Sequence, residues 1–434
     1  MLKRERMKPI FKILAIFIIL TNTNLLAERL TLKESLEIAF QNSSEIHQAK
    51  ERIAEARAKK RGSFTSFLPA IGSSSTFTQL GGESTLSVSG SPSITMTDQE
   101  LYDLNLNLKQ PLFTGGKLTA LYRQAEEATK VAEEDYQRVE INLIFKVKEA
   151  YYNILKMEKI CAVSKEAVEQ IKAHLKVVEN FYKAGMSPKV DLLKAKVQLA
   201  NIKQNLVEAE NGMELARASF NNLLNRSLSA PIELVDVLSY QKNEFNLKDS
   251  IEKAVKLRPE LKMQKIALKM AEEGLGIAKS DYLPAISLIT NYDQTKGSEP
   301  PIDKWQKAWN AVIAFELDIW NWGRTKEKVK QAKSVINQNQ DALSLLKKAI
   351  ELEIRNTFLN LQAAEKKILV VEKAVEQSRE GFRMTDLRFK EGMATNTDVL
   401  DATTLQSQAE TNYYQALYDC YLAEAALKRA MGEK

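Results

Sequence analysis

The sequence is poor in the residues that build catalytic and metal centres. It has two cysteines in 434 residues, Cys161 and Cys420, so no disulfide framework holds the fold. Both sit in apolar helical stretches and read as small buried hydrophobes. It has two histidines, His47 and His174. Neither is read as a metal ligand, and no cofactor is expected. No phosphate-binding glycine loop or nucleophile elbow occurs; Gly274 and Gly276 fall inside a helical pattern rather than opening one. An enzyme therefore finds no support. Beyond residue 27 there is no run of about 18 apolar residues, which excludes a transmembrane helix. A chain with this composition can enter a membrane only as a barrel.

Charge of one sign is also missing. The formal charge is +6, from 62 basic and 56 acidic residues. Residues 1–27 hold five of the basic residues and one of the acidic ones, which leaves 57 against 55. That near-balance excludes a basic face for nucleic acid. Within the first 27 residues, Lys3, Arg4, Arg6, Lys8 and Lys12 precede an apolar run from Ile13 to Leu20. The run is too short to span a bilayer and reads as a secretory signal ending near Ala27. No cysteine follows it, so a lipid anchor is not expected there.

What the sequence has is a duplication. Thr31-Leu32-Lys33-Glu34-Ser35 returns 215 residues later as Asn246-Leu247-Lys248-Asp249-Ser250, each a capping-box pattern opening a helix. At the same offset Phe67-Leu68-Pro69-Ala70-Ile71 returns as Tyr282-Leu283-Pro284-Ala285-Ile286. After a variable loop the offset becomes 207. There Tyr182-Lys183-Ala184-Gly185-Met186 returns as Phe389-Lys390-Glu391-Gly392-Met393, and Asp191-Leu192-Leu193 as Asp398-Val399-Leu400. The expected organisation is a signal at 1–27, a first repeat at 28–225, a connecting segment at 226–246 and a second repeat at 247–434.

Each repeat reads alike. A helix of about 30 residues (32–62; 248–281) stops at Leu-Pro, because proline cannot continue a helix interior. Two strands follow, then a Gly turn, a very long helix (117–184; 324–391), a second Gly turn and a last helix (188–225; 396–431). The strands alternate. Leu104, Leu106 and Leu108 oppose Asn105, Asn107 and Lys109. Ala311, Ile313, Phe315, Leu317 and Ile319 oppose Asn310, Val312, Ala314, Glu316 and Asp318. Their partners are 70–80 and 285–295. About ten residues of such alternation suits a tilted membrane strand. Trp305, Trp309, Trp320 and Trp322 fall at the ends of the second hairpin, where an interfacial belt would put them. The tips at 81–100 and 296–306 read as exposed loops. The long helices carry heptad seams, Leu118-Tyr122-Ala125-Thr129-Ala132-Tyr136-Val139-Leu143 and Val329-Ala332-Ile336-Asn339-Leu343-Leu346-Ile350.

Length turns this pattern into an architecture. A helix of about 68 residues is ~100 Å long, over three times a ~30 Å hydrocarbon core, and must project into water. Four strands cannot close a barrel, and lipid tolerates no open edge, so the strands must be shared between copies in closed symmetry. The expected fold class is mainly α with a membrane β-barrel: long antiparallel coiled-coil helices plus four strands per protomer, internally duplicated.

The chain resembles the TolC-like outer-membrane efflux protein family over essentially all of residues 28–434. The resemblance rests on that element order and on three segments. Gln110-Pro111-Leu112-Phe113-Thr114-Gly115-Gly116-Lys117 and Leu317-Asp318-Ile319-Trp320-Asn321-Trp322-Gly323-Arg324 look like the strand-to-helix junctions. The stretch from Phe389 through Gly392 to Asp398-Val399-Leu400-Asp401-Ala402-Thr403-Thr404 is similar to the periplasmic hairpin tip. The resemblance implies a homotrimer with a twelve-stranded barrel in outer-membrane lipid and a twelve-helix periplasmic tunnel. It implies efflux or type I secretion, with docking through a periplasmic adaptor onto an inner-membrane RND, ABC or MFS transporter. Two other readings stay open: a periplasmic coiled-coil spacer without channel activity, and an adaptor, although an adaptor would show one hairpin between β-rich halves.

Site residues concentrate at the tips. Asp398 and Asp401 share a helix face, and the resemblance puts that face at the tunnel entrance as an acidic ring attracting cations. The plainer reading is first-turn acids complementing the helix dipole. The first repeat has Asp191 but Lys194 at the matching positions. Gly185 and Gly392 are expected in the left-handed turn conformation. With Met186, Asp191, Met393 and Thr397 they form the expected adaptor-facing tips, and Ser187-Pro188 is read as an N-cap and first helical position. Family members can latch the tip shut with a Tyr and an Arg reaching an Asp. Here those positions are Phe389, Ala394 and Asp191, so the latch is expected to be absent.

Overall fold

The computed structural model describes residues 28–82, 84–87, 89–236, 243–300 and 303–434. The expected leader at 1–27 lies outside the described residues, as does 237–242 of the connecting segment. The element order repeats itself. The first half runs β1 (Glu28–Leu30), α1 (Leu32–Asn42), α2 (Ser44–Thr65), β2 (Ala70–Gln79), β3 (Ser84–Leu86), β4 (Ile94–Thr97), β5 (Glu100–Phe113), α3 (Lys117–Lys183) and α4 (Lys189–Leu223). After β6 (Ile232–Leu234) come α5 (Leu247–Leu257), α6 (Pro259–Ser280), β7 (Ala285–Lys296), β8 (Gln306–Glu316), α7 (Arg324–Lys390) and α8 (Asn396–Met431).

The long helices α3 and α7 are each 67 residues. Each opens after a left-handed glycine, Gly116 or Gly323, and closes before another, Gly185 or Gly392. In each repeat the short helix and the last helix both pack along the long one, α2 and α4 on α3, α6 and α8 on α7. The seams meet as their period requires. Tyr136, Val139 and Leu143 pack in one core cluster, and Leu343, Leu346 and Ile350 in another.

The first helix of each repeat is not continuous. Ser43 breaks the first copy and caps α2 by accepting from the Ile46 N–H; Arg258 breaks the second. Pro259 explains the second break, because it lacks an N–H and holds Arg258 extended at ψ 121. The caps also differ from the expected pair. Thr31 and Glu34 form a reciprocal capping box, whereas Asn246 only accepts, from Lys248 and Asp249.

The sheet order is β2-β5-β7-β8, antiparallel throughout, so the two hairpins join side by side and leave β2 and β8 as open edges. One face carries Ile71, Leu106, Leu108, Tyr292, Ile313 and Phe315. The other carries Asn105, Asn107, Asn291, Asp293 and Asn310, linked by Asn105 donating to Asp293 and Asn291 donating to Asn310. The first tip is not a plain loop, because β3 and β4 pair there as a small hairpin. Trp305 joins Tyr102 and Phe77 at that end of the sheet, and Trp320 meets Trp322 at the other. Trp309 lies within β8 rather than at its end. Among the described residues no helix is long and apolar enough to cross a membrane.

Midway along the rods, β6 pairs in parallel with β1. The connecting segment is tied down there by polar contacts. Tyr151 Oη donates to the Val235 carbonyl at 2.5 Å, Tyr418 Oη donates to Asp236 at 2.8 Å, and Lys159 Nζ lies 2.6 Å from Asp236. Burial pushes the Tyr151 hydroxyl up to about 12. Cys161 and Cys420 are both buried thiols within the helical layer.

Candidate functional site

The two hairpin tips lie together at the end of the rods farthest from the sheet. Both turns share one backbone solution. Gly185 and Gly392 have φ +76 and +73. In the first tip the Met186 N–H donates to the Phe181 carbonyl and Gly185 to Tyr182; in the second, Met393 donates to Arg388 and Gly392 to Phe389. This is the paired bonding of a Schellman cap, which only glycine enters without a Cβ penalty.

The side chains then diverge. In the second tip Thr395 caps α8. Its N–H donates to Asp398 Oδ2 at 2.7 Å, and the Asp398 N–H donates back to Thr395 Oγ1 at 3.2 Å. The Thr395 N–H, and after it the hydroxyl, hold the Asp398 carboxyl below the usual carboxylate range. Asp398 is therefore a capping residue, beyond the first-turn placement that complements the helix dipole. Asp398 is still exposed, so capping and an entrance role are compatible. Asp401, one turn on, is exposed on the same face. Both line an open groove of about 710 Å³ between α7 and α8, with Gly381, Phe382, Arg388, Met393 and Ala394. The groove is thus not purely acidic, because Arg388 faces it too.

In the first tip Asp191 is occupied locally. Ser187 Oγ donates to its carboxylate at 3.3 Å. Pro188, not Ser187, takes the N-cap position, and it caps through no side chain. Lys194, the counterpart of Asp401, donates to Thr397 Oγ1 at 3.5 Å across the tips. Met186 and Met393 are both exposed.

The positions where a latch would sit hold an apolar cluster. Phe389 is 7% exposed and packs with Val178 and Val399, flanked by Val177, Phe181, Leu192, Phe382 and Ala394. Its ring lies 5.6 Å from Phe181 and 4.8 Å from His174. Sequence reasoning passed over two residues here. His174 Nε2 lies 2.8 Å from Asn396 Oδ1, and Asn396 Nδ2 donates to the Asp191 carbonyl at 3.2 Å. A buried His–Asn pair thus ties α3 to the starts of α4 and α8. Because Asn396 Oδ1 can only accept, the imidazole carries its proton on Nε2. Nδ1 is buried without a partner, and burial holds the His174 pKa below its ordinary value. One available signal was His174 itself, which interrupts the apolar seam Ile171-Val178-Phe181 at helical spacing.

Comparison with known proteins follows the same two-part division. The outer membrane efflux protein family matches residues 36–226 and 250–433, one block per repeat. The chain belongs to that family. The chain is 23% identical over 340 residues to outer membrane protein TolC of Escherichia coli (strain K12), covering 76% of this chain and 69% of that protein. It is 22% identical over 410 residues to the cation efflux system protein CusC of the same strain, covering 91% of this chain and 85% of that protein. Its fold matches the crystal structure of the Campylobacter jejuni CmeC outer membrane channel with a TM-score of 0.80 at 18% identity, over 92% of this chain and 85% of that one. As an outer membrane efflux protein, the chain has its sheet in the outer membrane and its helices in the periplasm. Members of this family are channels rather than enzymes.

Proposed function

We propose that this protein is a passive export duct, running from periplasm to exterior in an efflux pump or type I secretion system. The observation that carries the reading is a single chain with an open-edged, one-face-apolar sheet continuous with 67-residue helices. The open edges favour closure with further copies of the chain, three giving a twelve-stranded barrel wide enough for a pore. The tips, with Gly185, Met186, Asp191, Gly392, Met393 and Thr397, are the surface offered to a periplasmic adaptor and through it to an inner-membrane RND, ABC or MFS transporter. Asp398 and Asp401, repeated by symmetry, form an acidic ring at the entrance that favours cations. Closure rests on the Phe389 cluster and the His174–Asn396 tie in place of a Tyr–Arg–Asp latch.

Single-channel current from the purified protein in a planar bilayer tests this. The expected result is discrete, cation-preferring openings that lose their preference in D398A/D401A. Charge reversal at Asp191 is expected to leave the resting conductance unchanged. A folded, helical protein that never inserts would refute the duct. A large rise in resting conductance from D191K would restore the latch.

A further inference from the structure

The two repeats of this chain contain, between them, a template for the joint between copies. The hairpins β2–β5 and β7–β8 are equivalent residue by residue. The pair Gly72↔Asn107, moved by the offsets 215 and 207, becomes Ser287↔Ala314, and Thr76↔Asp103 becomes Asn291↔Asn310; both are observed pairs. The joint between hairpins, β5 against β7, is also observed, with Leu106↔Tyr292, Leu108↔Thr290, Gln110↔Leu288 and Phe113↔Ile286. Its counterpart, β8 against β2, has no partner within one chain, since these are the two open edges.

We infer that β8 of one copy pairs with β2 of the next in the register of the internal β5–β7 joint. That register sets Ile313 beside Phe77, Phe315 beside Ser75, Leu317 beside Ser73 and Trp320 beside Ile71. The inference rests on the reading of a barrel shared between copies and specifies how the copies meet.

Three observations support it. The first is parity. Nothing in the offsets requires the transferred register to respect the pleat, yet Ile313, Phe315, Phe77 and Ile71 all lie on the apolar face. A slip of one residue would put an apolar strand face against a polar one.

The second is strand length. β5 reaches Phe113, whereas β8 stops at Glu316, four residues short of the counterpart Trp320. In β5 the residues beyond Lys109 pair only with β7, because β2 ends at Ala70↔Lys109. They are strand because the other repeat lies beside them. Residues 317–320 lack only that neighbour, and the next copy's β2 supplies it. Ile319 and Trp320, now among the most exposed apolar side chains in the protein, lie in the segment so extended.

The third comes from the helices. On α3, Tyr152 stacks on Tyr421 of α8 at 5.1 Å, and Arg429 of α8 lies 4.5 Å from the Phe145 ring. The α7 counterparts of Tyr152 and Phe145 are Leu359 and Leu352, which are 55% and 69% exposed. The helix equivalent to α8 in the next copy is α4. It leaves Val207 exposed, where the α8 counterpart Tyr414 packs on a core cluster.

One position keeps the two joints from being identical. Gly115 has φ +62, and a Cβ there would meet the Ser280 carbonyl oxygen at 2.7 Å and Leu283 Cβ at 2.9 Å. Its counterpart is Trp322, at φ +53 and 89% exposed. The seat for Trp322 is the corner of the next copy near Thr65 and Leu68. An indole cannot tuck in where glycine does, so the joint between copies opens at that corner and Trp322 lies across it.

Cysteine cross-linking in the full-length protein tests the register. Ile313 and Phe77 are both surface residues, so I313C/F77C is expected to fold. The unmodified protein, carrying Cys161 and Cys420, is the background control. Oxidised in membranes, I313C/F77C is expected to form disulfides between copies about tenfold faster than I313C/S75C or I313C/Q79C, whose Cβ atoms lie one pleat repeat further away. Solution mass in detergent is measured on the same samples. If I313C/S75C or I313C/Q79C cross-links faster in an intact oligomer, the register is wrong while the shared barrel stands. If the protein is a monomer by mass, the shared barrel itself fails.

Discussion

The two hairpin tips share a backbone and little else. Each ends its long helix on a left-handed glycine with the same pair of carbonyl bonds. Yet Tyr182 is 40% exposed where Phe389 is 7%, Lys194 stands where Asp401 does, and Pro188 caps nothing where Thr395 and Asp398 cap each other. The lesson concerns what a duplicated chain conserves. Backbone geometry survives because a turn that needs positive φ has few solutions. Side chains diverge because Phe389 of the second tip is buried against Phe181 and His174 of α3, while its counterpart Tyr182 stays at the surface.

Substitutions can break this comparison. The largest difference is expected from removing the paired aromatics. F389A deletes a buried ring and should cost about 3–5 kcal/mol of local stability, whereas Y182A should cost no more than about 0.5. Hydrogen exchange over the tip amides reads both, and equal effects would mean that the second tip is not the packed one. Next come the glycines, where the tips should agree. G185A and G392A each force a Cβ into positive φ in open space and should each cost about 1–2 kcal/mol by the same readout.

Capping should separate the tips again. T395A removes the second tip's cap and should cost about 1 kcal/mol, while P188A removes no cap bond at all. A matching loss in P188A would overturn the assignment.

The smallest expected effect is that of pH. The ordinary imidazole pKa is about 6.5, and burial in the folded tip holds that of His174 lower. A depressed base favours the fold while neutral, so tip stability is full above about pH 6.5 and falls as pH drops through that value towards the folded pKa. Asp386 opposes this depression and Lys390 adds to it, both from α7; Asn396 of α8 supplies the hydrogen bond. Between pH 8 and 6 only the start of the loss is sampled, so the change in exchange rates over the tips should be small, and it should vanish in H174Q.

Much of the fold could be read from local signals. The glycine turns predict long helices at 117–184 and 324–391, and these run Lys117–Lys183 and Arg324–Lys390, because left-handed glycines mark all four ends. The break at Arg258 has a local signal in Pro259; the break at Ser43 has none, since serine also occurs inside helices. The small hairpin of β3 and β4 sits in a segment whose Gly and Ser content masked it. At the site, Gly185 and Gly392 could be assigned from one residue type. Asp398 could not, because a capping acid and a pore-facing acid have the same sequence. His174 and Asn396 are 222 residues apart, and no local pattern pairs them.

Periodicity, chain length and turn chemistry depend on neighbours within a few residues, so the sequence alone determined the duplicated plan, the ~100 Å rods and the alternating strands. Period identifies which face of a helix or strand is apolar but not which element covers it. The tertiary structure alone decided that Phe389 turns inward to His174, that Asn396 pairs with His174, and that β2 and β8 remain as the edges. Those outcomes depend on packing between segments about two hundred residues apart, where burial and hydrogen-bond satisfaction, not local preference, choose the partner.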